Sequence, residues 1–431
     1  MPVSHEQARL IAERLSSNAE LTELAARLEP VPESVRPIPP EVPAARDWSA
    51  AAVAERVAFA SARCGVDLDQ VSGKAERVPP ETLKGNIEQY IGMAQIPIGL
   101  IGPLRINGAH ANGDYYVPLA TTEGVLVASY QRGARIATKA GGIAAVTITE
   151  KVQRAPMFAF PTIAKAGLFA AWVSTEFPTL AGVANSRSSH TRLLGCQVHV
   201  EANHVYLLFE FHTGDASGQN MATLATQLIC EDLVARSPVK SSGWFLEANM
   251  SGDKKATALA FQNTRGRKVV AEVVVPAALV EAALHTTVDR MCDYWRASVV
   301  GAMSSGAIGA NGHYANGLAA LFIACGQDVA CVSEASVGLT RMERSDGGDL
   351  YVGVTLPGLV VGTVGGGTRM PTARECLRLI DCEGEGRAQR FAEICAATIL
   401  AGEISIVGAL CAGEFARAHE KLGRPAAPPS R

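Results

Sequence analysis

The chain has 431 residues, 39 basic and 42 acidic side chains, and a formal net charge of −3. That length buries a full core and predicts two or three domains, and a content of 48% hydrophobic and 19% charged residues excludes a disordered chain. The near-neutral balance excludes a bulk electrostatic footprint for nucleic acid and leaves room only for a local basic pocket.

Ten cysteines are scattered, none spaced as C-x-x-C and none clustered with His at zinc spacing. They read as reduced core thiols of a cytoplasmic protein and predict no metal. The N-terminus is not a secretory signal. The apolar run at 317–326 is about half the ~18 residues that a membrane span needs, so no membrane association is expected.

In chain order, residues 5–28 place Leu10, Ile11, Leu15, Leu21, Leu24 and Leu28 at helical spacing among charges, giving one or two surface helices. Residues 29–46 hold six prolines and predict a linker or extended wrap. A helix is expected at about 49–63. The pattern turns strand-like with Gly and Pro breaks over 92–119. Thr121-Thr122-Glu123 then precedes an apolar, small-residue segment, which predicts a buried helix with a Thr N-cap. Residues 156–245 alternate strand-like runs, as at 198–211, with an amphipathic helix at 221–236, an α+β module read as inserted. Gly-rich loops and buried helices follow, and 387–421 reads as one long helix.

Four polar groups stand in apolar, small-residue surroundings. Glu123 is followed by GVLVAS; burial there would raise its proton affinity, whereas a place in the first helical turn would only answer the helix dipole. Lys254, in Asp253-Lys254-Lys255, is either a solvated surface cation or a positive charge for a developing oxyanion. Asp328 after LFIACGQ either sits beneath the surface with a cation such as Lys254 or caps the next helix. His419, near the end of a helix, is either structural or a proton donor on a mobile terminal element. The glycine loops at 306–312 and 362–368 lack Rossmann order. The turn at 213–221 joins a strand to a helix, and offers either backbone N–H groups to a phosphate or an ordinary capped turn.

Together and in this order, IPIGLIGPLRING, PLATTEGVLVASYQRGAR, TGDASGQNM, DKK, IGANGHYANGLAALFIACGQD, GTVGGGTRMPT and LAGEISIVGALCAGEFARAHEKLGR resemble 3-hydroxy-3-methylglutaryl-CoA reductase, in its soluble class I catalytic part, over roughly 83–423. The resemblance implies an α+β fold with an N-terminal helical region (1–88). A large domain around a long central helix (89–155 and 246–420) would carry an inserted small ferredoxin-like, non-Rossmann cofactor domain (156–245), followed by a flexible tail (421–431). It implies homodimers or dimers of dimers with sites at subunit interfaces, and no membrane anchor here. The implied reaction is a four-electron reduction of a thioester to an alcohol, from hydroxymethylglutaryl-CoA to mevalonate and CoA, with two NADPH or NADH.

By the same resemblance Lys254 stabilises oxyanion character, Glu123 is the general acid of the aldehyde step, Asp328 sits between them, and His419 on a C-terminal flap protonates the departing thiolate. Arg154, Asn249, Asn316, Ser129 and Arg132 match substrate contacts, while Asp215, Ser217, Gly218, Gln219, Asn220 and Gln327 fall in the cofactor region.

Departures from the family pattern bear on specificity. Glu247 replaces a serine expected to meet the terminal carboxylate of the acyl group, which it would repel unless protonated or turned away, and Arg296 replaces a lysine for that carboxylate. The loop that meets the cofactor's 2′-phosphate aligns loosely with Ser188-Ser189-His190; the loss of its Arg weakens the case for NADPH over NADH, although Arg187 and Arg192 are close by. The alternatives are the same engine on another acyl-CoA and a non-catalytic CoA- or nucleotide-binding paralogue.

Overall fold

The computed structural model describes residues 18–75, 78–186 and 191–415. After α1 (Asn18–Leu28), the proline-rich stretch runs extended along the large sheet. Proline has no N–H to place in a ladder, so apart from Val31 N–H, which donates to the Gly141 carbonyl at 2.8 Å, this wrap is held mainly through its carbonyls. The wholly buried Arg105 does the holding. Its guanidinium donates to the carbonyls of Val31, Arg36 and Pro37 at 2.8–3.2 Å and grips Asp114 through two contacts of 2.8 and 3.1 Å. Then comes α2 (Ala50–Cys64), opened by a Ser49 side chain that accepts from Ala52 N and closed by Gly65 in the left-handed conformation.

Strands β1 (Ile98–Gly108) and β2 (Asn112–Ala120) pair antiparallel. The expected Thr N-cap is corrected here. Thr121 Oγ1 accepts from Glu123 N at 2.9 Å in a local turn, and the helix α3 (Leu126–Lys139) starts only after Val125, at φ 73°. The hydroxyl satisfies its own neighbouring backbone in place of a helix end.

The long strand β3 (Ile143–Arg154) belongs to two sheets' worth of partners. Its residues 144–151 pair with β8, its start runs parallel to the end of β1, and its last three residues pair with β6. From there the chain forms β4 (Met157–Ala159), α4 (Ile163–Val173), α5 (Phe177–Asn185), β5 (Arg192–Glu201), β6 (His204–His212), α6 (Gln219–Arg236) and β7 (Gly243–Phe245). Side chains from Val152 to Val239, with Phe158, Phe169 and Phe209 among them, make a core of their own.

The chain then returns through α7 (Leu259–Gln262), β8 (Gly266–Val275), α8 (Ala277–Leu284), α9 (Val288–Ser305), α10 (Tyr314–Ala324), α11 (Val332–Ala335), β9 (Leu339–Arg344), β10 (Leu350–Leu359), α12 (Pro371–Leu379) and α13 (Ala388–Cys411). The ten strands form one continuous network, with β8–β10–β9 as its far antiparallel edge.

The larger core gathers around α13. By length and composition this 24-residue helix is apolar enough to cross a membrane, with a mean hydropathy of 2.0, yet 89% of that span is buried inside the protein. The apolar stretch that matters is thus this helix and not the run at 317–326. Helix α3 crosses it at Gly133, where a Cβ would lie 1.7 Å from the Ala401 carbonyl oxygen, so only glycine permits the approach.

Replacing Arg105 with Ala strands the Asp114 charge and three carbonyls together. We expect Arg105→Ala to cost about 3–5 kcal/mol in denaturant unfolding and to open residues 29–46 to protease. Loss of less than about 1 kcal/mol with an intact wrap would show that the clamp contributes nothing.

Candidate active site

The loop from 246 to 257 leaves β7 and carries Lys254, whose backbone sits at φ 55°; Asn249 and Gly252 in the same loop are at φ 65° and 71°. Such conformations persist in non-glycine residues only where surroundings over-determine them. Here the surroundings are ionic. Arg154, at the end of β3, lies 3.0 Å from Asp253 and 3.4 Å from Glu247. Arg265 pairs with Asp253 and lies 3.3 Å from Glu334 in α11. Burial works to raise the Asp253 carboxyl, but Arg265 and Arg154 outweigh it and hold it below the usual range.

Lys254 Nζ is 2.8 Å from Asp328 Oδ2, with both side chains about 40% exposed. The hydrogen bond that the ammonium donates to Asp328 raises the lysine's proton affinity above its ordinary value. Asp328 does two things that the sequence left as alternatives: its Oδ1 also accepts from Ala330 N at 3.1 Å, capping the single turn 329–331. It is not buried, however, because the chain leaves the core after α10. The buried neighbour is Gln327, whose amide is spent internally on the Cys325 carbonyl and on Gly362 N.

Glu123 is likewise exposed, and it precedes the helix that starts at Leu126, so neither the buried site nor the first helical turn weighed for it is what the chain forms. Its Oε2 accepts from Asn316 Nδ2 at 2.6 Å. Asn316 stands in the first turn of α10 and Asp328 four residues beyond the helix's end. The eight steps from residue 316 to 324 alone rise about 12 Å. Asp328 therefore does not lie between Glu123 and Lys254 within one chain, and no hydrogen bond or ion pair joins the two pairs among the described residues. The start of α10 is fixed by Glu403 of α13, which accepts from Gly312 N, His313 N, His313 Nδ1 and Thr340 Oγ1 at 2.6–3.1 Å.

Several other expected site residues serve the fold in this chain. Glu247 is turned into its own loop: its carboxylate accepts from Ala155 N, Asn249 N and Ser251 Oγ at 2.7–3.1 Å, beside Arg154. Arg296 lies exposed on α9, paired with Asp293 of the same helix, away from the Lys254 loop's contacts. Ser129 Oγ is 2.9 Å from Ser405 Oγ, and Arg132 donates to Ser405 Oγ and O, so both lie against α13. Asn249 is exposed. His419 and residues 187–190 lie outside the described residues.

In the turn between β6 and α6, Asp215 Oδ1 and Oδ2 accept from Ala388 N and Gly386 N at 3.0 and 2.8 Å. The carboxylate expected to meet cofactor thus caps the central helix. Gly218, at φ 78°, opens α6 with no side-chain cap, and Asn220 is exposed in that first turn. Gln219 donates to Cys331 Sγ, while Arg154 donates to the Gln219 carbonyl. Ser217 is crowded against Gly362, and Ala216 bridges Val364. The glycine loop at 362–368, which sequence order set aside, therefore lies against this turn. Glu334, Arg265 and Glu403 were missed as well. The local signal was an acid amid small apolar neighbours, in CVSEASVG for Glu334 and in LAGEISIVG for Glu403. Among the described residues there is no cluster of His, Cys, Asp and Glu fit to hold a metal.

The capping geometry has a measurable consequence. Asp215→Ala should lower thermal stability by about 1 kcal/mol and leave the nicotinamide KM within about threefold. A large rise in that KM at unchanged stability would return the residue to the cofactor.

The family model described as hydroxymethylglutaryl-coenzyme A reductase matches residues 52–424. The 3-hydroxy-3-methylglutaryl-coenzyme A reductase of Pyrococcus horikoshii is 42% identical over 371 residues, covering 84% of this chain and 89% of its own. That of Methanocaldococcus jannaschii is 42% identical over 349 residues, covering 79% and 85%. In fold, the chain is similar to a class II reductase from Streptococcus pneumoniae solved with NADPH, with a TM-score of 0.66 at 19% identity over 83% of this chain and 96% of that one. The chain belongs to the hydroxymethylglutaryl-coenzyme A reductase family.

Proposed function

We propose that the chain performs its family's reaction at a site completed by a second copy of itself. The reaction is the NAD(P)H-dependent reduction of hydroxymethylglutaryl-CoA to mevalonate and CoA. Two hydrides and two protons enter, and the thiol leaves. The observation that carries the shared-site reading is the separation of Lys254–Asp328 from Glu123–Asn316 by the length of α10. In a symmetric dimer, Lys254 and Asp328 of one subunit meet Glu123 of the other.

Exposed apolar residues suit such a partner: Ile87, Ile91 and Met93 before β1, and Val300, Met303 and Ile308 on and after α9. Ile91 is fully exposed in the single chain.

Lys254 stabilises the oxyanion at the thioester carbonyl and again at the aldehyde. A unit charge at ~4 Å in an effective dielectric of ~20 contributes roughly 4 kcal/mol. Asp328 keeps the ammonium protonated and oriented. Glu123 delivers the proton to the aldehyde oxygen, and His419 protonates the thiolate, whose ordinary pKa of ~8.5 leaves it otherwise able to re-add.

The nicotinamide supplies hydride when bound. The residues present suit it: the start of α6 is uncapped, Arg154 lies at that start, and a Cβ at Gly365 or Gly366 would meet nothing within 4 Å. These groups and the 213–220 turn would hold its phosphates. The choice between NADPH and NADH turns on residues 187–190, and steady-state comparison of the two reads it directly.

With Glu247 folded back onto Ala155, Asn249 and Ser251, the expected repulsion of a distal carboxylate does not arise, which favours hydroxymethylglutaryl-CoA over other acyl-CoAs. A non-catalytic paralogue has no use for an oriented Lys254–Asp328 pair.

Lys254→Ala should lower kcat by about 10²–10³ with an unchanged melting temperature. Mixing refolded Lys254→Ala and Glu123→Gln chains tests the shared site. Random pairing gives half hybrids, each with one intact site of two, so about a quarter of wild-type activity should return. No recovery from mixed chains that do dimerise would place both groups in one subunit's site.

A further inference from the structure

We propose that Glu334 is the positioning residue of Lys254, holding the lysine's main chain while Asp328 holds its ammonium. This rests on the reading of Lys254 as the catalytic cation.

Lys254 N–H donates to Glu334 Oε1 at 3.2 Å, and Oε2 of the same carboxylate lies 3.3 Å from Arg265 Nε. Glu334 and Arg265 are 4% and 3% exposed, and the other arm of Arg265 binds Asp253, the residue before the lysine. A left-handed backbone at Lys254 is thereby tied on both sides to one buried ion pair. An ionised acceptor binds an N–H about twice as strongly as a neutral one.

Asp328 and Glu334 also belong to one short helical stretch. Asp328 caps the turn 329–331, and α11, which follows without a break, contains Glu334. One rigid piece of chain therefore fixes both ends of a single lysine. Without the carboxylate charge, Arg265 loses its counter-ion on that side and the Lys254 N–H its strong acceptor. The start of the lysine side chain is then free to move, and a displacement of about 1 Å in a reacting group costs about 10²-fold in rate.

Burial pushes the Glu334 carboxyl up to about 6, against the opposing pull of Arg265 and of the Lys254 N–H. The charged and titratable groups around it are Arg265 ahead of β8, Asp253 and Lys254 on the loop, and Cys331 on the turn. The ionised form holds the N–H, so protonation below about 6 releases the loop and lowers the rate on the acid side.

The test compares the full chain with Glu334→Gln, using hydroxymethylglutaryl-CoA and NADPH, with rates counted per nicotinamide-binding site. The expected result is a kcat lower by about 10–100-fold with the acyl-CoA KM within about threefold. The acid limb seen in the wild type near pH 6 should vanish, and faster hydrogen exchange should be confined to residues 250–257. A kcat within about threefold of wild type, or the same acid limb in both proteins, overturns the inference. Should Glu334→Gln fail to fold, Arg265→Lys carries the same rate, pH and exchange measurements with the charge retained. Lys254→Ala run in parallel separates the two levels. If it keeps wild-type activity, the catalytic reading falls and this one with it; if it is inactive while Glu334→Gln is unaffected, only the positioning role falls.

Discussion

A buried carboxylate accepting main-chain N–H groups is the interaction on which this protein's irregular parts depend. Glu393 of α13 accepts from His110, Ala111 and Thr147, and Glu403 of the same helix accepts from Gly312 and His313. Asp215 accepts from Gly386 and Ala388, Glu375 from Gln70 and Val71, Glu247 from Ala155 and Asn249, and Glu334 from Lys254. Four of the six are buried and two, Asp215 and Glu247, half-buried, and the reason is common to them. A loop has no ladder to satisfy its N–H groups, and a buried anion has no water to satisfy its lone pairs. Each solves the other's problem, and the loop inherits the rigidity of the element that carries the acid.

Helix α10 turns this into a statement about the site. Its first turn is anchored through Glu403 and presents Asn316 to Glu123; beyond its last turn, Asp328 meets Lys254. Because the helix is stiff, the two groups cannot drift together within one chain. The same geometry leaves each pair exposed, so that both open toward whatever surface covers them. Under the proposed assembly that surface is the partner's complementary pair.

The regular elements were the legible part. Ser49 ahead of an alanine-rich run marks α2, and the amphipathic spacing from 221 onward marks α6, within a residue or two of their observed ends. The long helix read over 387–421 is α13, whose start was legible but which ends at Cys411, where a turn at 412–413 follows. What the sequence did not show is non-local. Whether Thr121 caps a helix or closes a local turn depends on how the chain enters α3. That Glu247 turns into its loop depends on Ala155, a strand end far away in sequence. Burial was one of two readings that apolar neighbours left open for Glu123 and Asp328, yet the polar residue marks where the chain leaves the core. The roles of Asp215 and Glu334 need the positions of Ala388 and Arg265, which no window of sequence contains.

The exposure of Lys254 and Asp328, about 40% each, also says what their contact is for. An ion pair so open to water adds little to stability, at most about 1 kcal/mol. Its value appears when the cleft is covered. A lone ammonium enclosed by protein and substrate loses water and with it the preference for the charged form. A carboxylate at 2.8 Å reverses that tendency and keeps the proton on nitrogen. Covering the pair also lowers the local dielectric, so the retained charge acts more strongly on an oxygen acquiring negative charge. Asp328 thus stabilises the charged state of Lys254 under the one condition in which that charge is needed and would otherwise be lost.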